Sequence, residues 1–230
     1  MKVYFIPGLG ADRRIFNHTK LPDGYVPVFM DWKKPDENDT LEDYARRMAT
    51  EINKGEPFVL VGLSMGGMIA TEISKFMKPE KLILLSSAGT RKELPAYFNF
   101  VHKYNLHRFI PAKAFTSASL IKRFFTVETP EDKALLREII RDTDPAFVQW
   151  ALGAILNWKN ETLPEHCYHI HGDRDEILPL KYTHATHIIP KGTHMMVLTR
   201  AGEVNDILAG ILQEDYSQNA GGNNGNTSAI

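Results

Sequence analysis

The chain predicts an α/β fold: a mostly parallel six-stranded sheet with helices on both faces and an inserted helical segment. Three observations predict it. Short apolar runs alternate with helix-patterned stretches. A serine flanked by glycines, Gly62-Leu63-Ser64-Met65-Gly66, stands between one such run and the helix after it. An aromatic-rich, proline-punctuated stretch from about residue 91 to 163 breaks the alternation. Strands that alternate with helices pair in parallel, and a parallel sheet needs helices over both faces.

The strand candidates are Val3–Ile6, Val26–Met30, Phe58–Val61, Lys81–Leu85, Cys167–His171 and Thr186–Ile189. Thr40 is a good N-cap with Asp43 three residues on, and Leu41, Tyr44, Ala45, Met48 and Ile52 then share a helical face that Gly55 closes. The helix after Ser64 is expected to carry Met65, Met68, Ile69, Ile73, Phe76 and Met77 on one face and to stop at Pro79. In the insertion, Pro95, Pro130 and Pro145 each suit a first helical position, the last two behind Thr129 and Asp144 as N-caps. Its aromatics are Tyr97, Phe98, Phe100, Phe109, Phe115, Phe124, Phe125, Phe147, Trp150 and Trp158. Most are expected to pack the insertion's own core and a minority to face a cavity, since ligand pockets are mainly apolar. The last helix carries Ala201, Val204, Ile207, Leu208, Ile211 and Leu212. The division expected is a core of residues 1–90 and 164–216, an insertion of 91–163 over the carboxyl ends of the strands, and a polar tail of 217–230 that is disordered.

Composition narrows the function. The chain has 230 residues, 43% of them hydrophobic, which suits one domain with a full core. A net charge of −1 leaves no electrostatic footprint for nucleic acid. No apolar stretch has membrane-spanning length, and Met1-Lys2-Val3-Tyr4-Phe5-Ile6 runs straight into a strand with no secretory pattern. The single cysteine, Cys167, forms no internal disulfide. A cytoplasmic protein acting on a small molecule is expected, with no nucleic-acid or membrane partner.

The Gly62–Gly66 motif is the G-x-S-x-G arrangement of a nucleophile elbow. A sharp turn from strand to helix holds the serine hydroxyl clear of the sheet, and the following helix start aims amides at developing negative charge. A serine nucleophile needs a base, and the base needs an orienting carboxylate. In an open parallel sheet these belong outside the carboxyl ends of strands. His194 lies in Pro190-Lys191-Gly192-Thr193-His194-Met195, beyond the last strand candidate. The loop Gly172-Asp173-Arg174-Asp175 follows the preceding one, and either aspartate suits the orienting role. The amide of Met65, next to the serine, suits one half of an oxyanion hole.

With these motifs in hand, residues 1–212 resemble the α/β-hydrolase superfamily. The resemblance rests on the elbow, on the G-x-x-D-x-x-x-P pattern from Gly172 to Pro179, and on Gly192-Thr193-His194. It implies that Asp175 is the acid and Asp173 a turn residue. It also implies that the amide of Leu9, in Pro7-Gly8-Leu9-Gly10, completes the oxyanion hole, and that the insertion is a lid. Many relatives have a histidine where this chain has Pro7. Some place the acid after the strand that follows the elbow helix, where this chain has Ser86-Ser87-Ala88-Gly89 and no carboxylate. The implied activity is a serine hydrolase cleaving a carboxylic ester or thioester of a small to medium apolar substrate through an acyl-enzyme, with no cofactor and no metal. A serine at the elbow argues against epoxide-hydrolase or dehalogenase chemistry. The alternatives are a lyase or cofactor-free oxygenase on the same residues, or a receptor-like binder.

Other patterns compete for the same residues. Gly8-Leu9-Gly10 with Asp31 imitates part of a dinucleotide fingerprint, but Arg13 occupies the third glycine position. Cys167, His169 and His171 alternate along one strand, and His184 and His187 lie three apart. Without ligand spacing they read as structural histidines rather than metal ligands. Cys167 opens a strand, not a turn, which disfavours it as a nucleophile.

Overall fold

The computed structural model describes residues 1–104, 127 and 129–214. Alternation along the first strand, β1 (Lys2–Ile6), sets the layers: Tyr4 and Ile6 join one buried cluster, Val3 and Phe5 the other. The other strands are β2 (Val26–Phe29), β3 (Phe58–Leu63), β4 (Lys81–Leu85), β5 (Cys167–Gly172) and β6 (His187–Ile189). They form a six-stranded sheet in the order β2-β1-β3-β4-β5-β6, with every pair parallel. Register aligns Ile6 with Gly62, Leu63 with Leu85 and Gly172 with Ile189. The loops after β1, β3, β5 and β6 therefore leave along one edge, where the predicted site residues lie.

The helices are α1 (Leu41–Met48), α2 (Met65–Ser74), α3 (Ala96–Lys103), α4 (Pro130–Asp142), α5 (Pro145–Leu156), α6 (Met196–Thr199) and α7 (Ala201–Gln213). Side chains of α1, α2 and α5 pack with Tyr4, Leu60, Leu82 and Leu84 on one face of the sheet. Those of α4, α6 and α7 pack with Phe5, Val61, Ile83 and Ile170 on the other. Local chemistry fixes the helix starts. Thr40 and Asp43 form a reciprocal capping box on α1. Thr129 and Asp144 cap α4 and α5, each with proline in the first turn. At the far end of α7, buried Lys81 of β4 donates its ammonium to the Ile211 and Glu214 carbonyls, countering the negative end of the helix.

Three expectations change. The helix after Ser64 ends at Ser74, and Phe76 is exposed, with the Arg46 guanidinium 4.8 Å from its ring centre. All ten residues of α2 are buried, so its apolar pattern marks no single face and gives no signal for its end. The α1 face continues into a 3-10 turn at Ala49–Glu51 rather than running as α-helix to Gly55. Of the insertion's aromatics, Phe147 and Trp150 join Trp32 and Tyr44 in a ring cluster, and Trp158 is buried with its indole N–H on Glu72. Phe109, Phe115, Phe124, Phe125 and the tail 217–230 lie outside the described residues.

Candidate active site

Ser64 joins β3 to α2 at φ 51° and ψ −121°. Positive φ is rare for a residue with a side chain, and such strain collects at functional sites. Neighbouring bonds hold it there: the Ser64 amide donates to the Leu85 carbonyl at 2.9 Å, and its own carbonyl accepts from the Ser87 hydroxyl at 2.6 Å. The flanking glycines are required by contact. A Cβ on Gly62 would lie 2.4 Å from the Gly66 carbonyl oxygen, and one on Gly66 would lie 2.3 Å from the Ile6 and Pro7 oxygens. Any side chain there would push α2 off the sheet.

The loop after β1 passes directly over this turn, since a Cβ on Gly8 would stand 3.3 Å from the Ser64 Cβ. Its shape is pinned from three sides. Ala11 donates to the Gly8 carbonyl at 3.0 Å, the Trp32 indole to the Ala11 carbonyl at 2.8 Å, and the Thr143 hydroxyl reaches the Gly10 carbonyl at 2.9 Å. These bonds hold the loop that carries Pro7 where many relatives have histidine.

Beyond β5 and β6, two loops are tied to each other. The Arg174 amide donates to the Gly192 carbonyl at 2.9 Å, and the Asp173 amide to the Ile189 carbonyl at 3.2 Å. The tie brings Asp175 under His194. Asp175 Oδ2 lies 2.8 Å from His194 Nδ1, while Oδ1 accepts from the Ile177 and Leu178 amides, both at 2.9 Å. Both side chains are buried. Burial pushes the Asp175 carboxyl up, but the charge and hydrogen bond of His194, the Leu178 amide and His171 together hold it below its ordinary value. Asp173 is exposed, as befits a turn residue.

Ser64 and His194 line one cavity of about 170 Å³. Leu9 lines it too, whereas the Met65 side chain points into the core below. Its remaining walls are Gly8, Gly10, Ala11, Leu63, Leu136, Ile140, Thr143, Val148, Ile177 and Met195. To this cavity the insertion contributes, among the described residues, aliphatic side chains and Thr143; its aromatics Phe147, Trp150 and Trp158 line a separate, more open cavity with Lys34, Asp39 and Asn157. Thr143 was missed because a threonine after a helix carries no motif, and only the fold brings it to Gly10.

The other candidates do not line this cavity. Burial, then the nearby Glu93 charge, pushes the Cys167 thiol up to about 12, which leaves it a poor nucleophile at neutral pH. Among the described residues no group of three His, Cys, Asp or Glu is arranged to hold a metal. His184 lies 3.4 Å from Glu93, His187 meets the Thr186 hydroxyl, and His169 and His171 meet each other.

The Alpha/beta hydrolase family profile matches residues 3–207, and the chain belongs to that family. The chain is similar to an esterase structure from Thermogutta terrifontis, with TM-score 0.69, 19% identity, and coverage of 93% of this chain and 89% of that one. A bromoperoxidase from Bacillus anthracis has the same TM-score and identity, with coverage of 93% and 92%. An uncharacterised Mycobacterium bovis protein is 22% identical over 87% of this chain and 69% of its own length. At these identities the solved structures speak for the fold. Among the described residues no helix is long and apolar enough to cross a membrane.

Proposed function

We propose that this protein is a serine hydrolase cleaving a carboxylic ester or thioester that bears a small apolar acyl group. One observation carries the reading: His194, hydrogen-bonded to Asp175, shares an apolar cavity with the strained Ser64. Ser64 Oγ attacks the carbonyl carbon while His194 Nε2 takes the hydroxyl proton. His194 then returns that proton to the departing alcohol or thiol as the acyl–oxygen or acyl–sulfur bond breaks. Asp175 accepts from His194 Nδ1, fixing the tautomer and stabilising the imidazolium. The Leu9 and Met65 amides take the oxyanion. Water attacks the acyl-enzyme with His194 as base, releasing the acid and restoring Ser64. The insertion, residues 91–163, acts as a lid whose α4 and α5 set the cavity wall. The lone cysteine fits a reducing, cytoplasmic setting.

The cavity sets the size of the acyl group. An apolar cavity of about 150 Å³ holds a benzene-sized molecule, so the 170 Å³ here suits an acyl chain of similar bulk. Nitrophenyl esters should be turned over fastest at about two to six acyl carbons, with kcat/KM falling at least tenfold by about ten carbons. A fluorophosphonate probe read by mass spectrometry tests the nucleophile. Label on Ser64, lost in Ser64→Ala and His194→Ala, supports the reading. Label elsewhere, or none, overturns it. Label on Ser64 without turnover of any ester or thioester favours the lyase or receptor alternative.

A further inference from the structure

Behind Asp175, away from the cavity, lie two histidines that the proposed chemistry does not use. His171 and His169 are 0% and 3% exposed on β5. Their rings meet edge to face, with His171 Nδ1 3.0 Å from His169 Nε2. The outer nitrogen of His171, Nε2, is 2.7 Å from the Leu178 carbonyl oxygen and 3.4 Å from Asp175 Oδ2. The outer nitrogen of His169, Nδ1, is 3.9 Å from Glu93 Oε2. Glu93 itself accepts from the Gly89 amide at 3.1 Å and the Thr90 hydroxyl at 3.4 Å, and lies beside His184.

Counting protons decides the arrangement. The row has acceptors at both ends and three gaps between, while two neutral imidazoles carry two protons. The Leu178 carbonyl can only accept, so the 2.7 Å gap requires a proton on His171 Nε2. A neutral His171 then has a bare Nδ1, and the 3.0 Å gap requires His169 Nε2–H. The proton is missing from the 3.9 Å gap, already beyond hydrogen-bond reach, and the Ser87 backbone is a further acceptor beside His169.

We propose that His169 and His171 form a tautomer-locked pair that positions Asp175: the Leu178 carbonyl holds the His171 proton on Nε2, the side facing the carboxylate, and His169 donates to the bare Nδ1 behind it. The proposal rests on the role given to Asp175 above. A neutral His171 N–H on the Leu178 carbonyl steadies the segment whose amide donates to Asp175 Oδ1, without placing a second full positive charge beside the carboxylate, so its charge remains directed at His194. Burial, followed by the mutual effect of the two rings, pushes His169 down to about 3 against a favourable Ser87 backbone contact. Burial likewise lowers His171, against the pull of Asp175 and the Leu178 backbone. The groups facing the pair are Asp175, His194, Glu93 and His184, with Cys167 near Glu93 and Tyr97 near the carboxylate.

The test begins with nitrogen-15 NMR of histidine-labelled intact protein at neutral pH. Both rings should be protonated on Nε2 and bare on Nδ1. A proton on His171 Nδ1, or a doubly protonated ring in either residue, overturns the proposal. His171→Leu should remove the acceptor that holds the proton of His169 on Nε2, so that His169 samples both tautomers; an unchanged His169 ring overturns it. In turnover, His171→Leu should lower kcat by about ten- to a hundredfold with KM little changed. His171→Gln, which returns an N–H at similar reach, should recover most of that loss. Equal loss in both variants assigns the ring a packing role and overturns the proposal. The ring-nitrogen measurements stand whether or not Ser64 takes the phosphonate label, so failure of the hydrolase reading and failure of the pair are told apart.

Discussion

Ser64 holds its side chain at a φ of 51°, a conformation that costs a side-chain-bearing residue about 1 kcal/mol or more. Comparing two variants of Ser64 isolates that cost. Ser64→Gly should be more stable than Ser64→Ala by about 1 kcal/mol, because glycine occupies this region freely while alanine keeps the Cβ. Urea midpoints of the two variants check it, and equal midpoints would show that the turn is relaxed. At this scale much of the site was legible in the sequence. The elbow glycines and the chain order of Ser64, Asp175 and His194 are local patterns, and the fold brings Asp175 and His194 into contact at 2.8 Å. The choice of Asp175 over Asp173 needed the family resemblance, because the two differ only in which one turns inward. His169 and His171 looked structural for a physical reason: strand alternation says that they share a face, and nothing in it says that the face ends on the Asp175 carboxylate.

Between elements, the cavity depends on how the insertion meets the loop after β1. Thr143, the residue that closes α4, has its hydroxyl 2.9 Å from both the Ile139 and Gly10 carbonyl oxygens. Its one proton is shared between the helix end and the loop passing over Ser64. Thr143→Val keeps the shape and removes the donor. The half-buried bond is worth about 1 kcal/mol, so kcat/KM on a short ester should fall by about three- to tenfold while the melting temperature moves little. Steady-state kinetics beside a thermal melt check this, and a large melting shift would make the bond a stability element instead. Strands and capped helix starts were legible because they follow from short-range chemistry: apolar runs, Thr40 with Asp43, and Pro130 and Pro145 behind their caps. The aromatic content of the insertion announced a cavity lining but not which cavity: Phe147, Trp150 and Trp158 line one away from Ser64. Trp150 and Phe147 find partners in Trp32 and Tyr44, more than a hundred residues earlier, and no local pattern records that pairing.

For the whole molecule, the buried imidazoles predict how stability responds to acid. The folded state holds His169 at about 3 and His171 below its ordinary value, chiefly by burial. The unfolded chain returns both rings to about 6.5. Between these values the unfolded state binds more protons, so stability is complete above about pH 6.5 and is lost as pH falls. Each ring that stays neutral when folded contributes a slope of up to about 1.4 kcal/mol per pH unit. Asp175 acts in the same direction but in a lower window. Its carboxyl is depressed when folded, so its contribution fades only as pH drops below the unfolded carboxylate value of about 4. From about pH 6.5 down to about pH 4.5 the histidine slope therefore stands apart from that of the carboxylate. Urea midpoints across this range should fall steadily in the intact protein, and His169→Gln, which has nothing to titrate, should flatten the decline by about the share of one ring. A wild-type midpoint level from pH 7 to about pH 4.5 would mean that the folded protein already carries a charged ring on β5. The sheet would then have buried a cation between Asp175 and Glu93, and the carboxylate under His194 would divide its attraction between two partners.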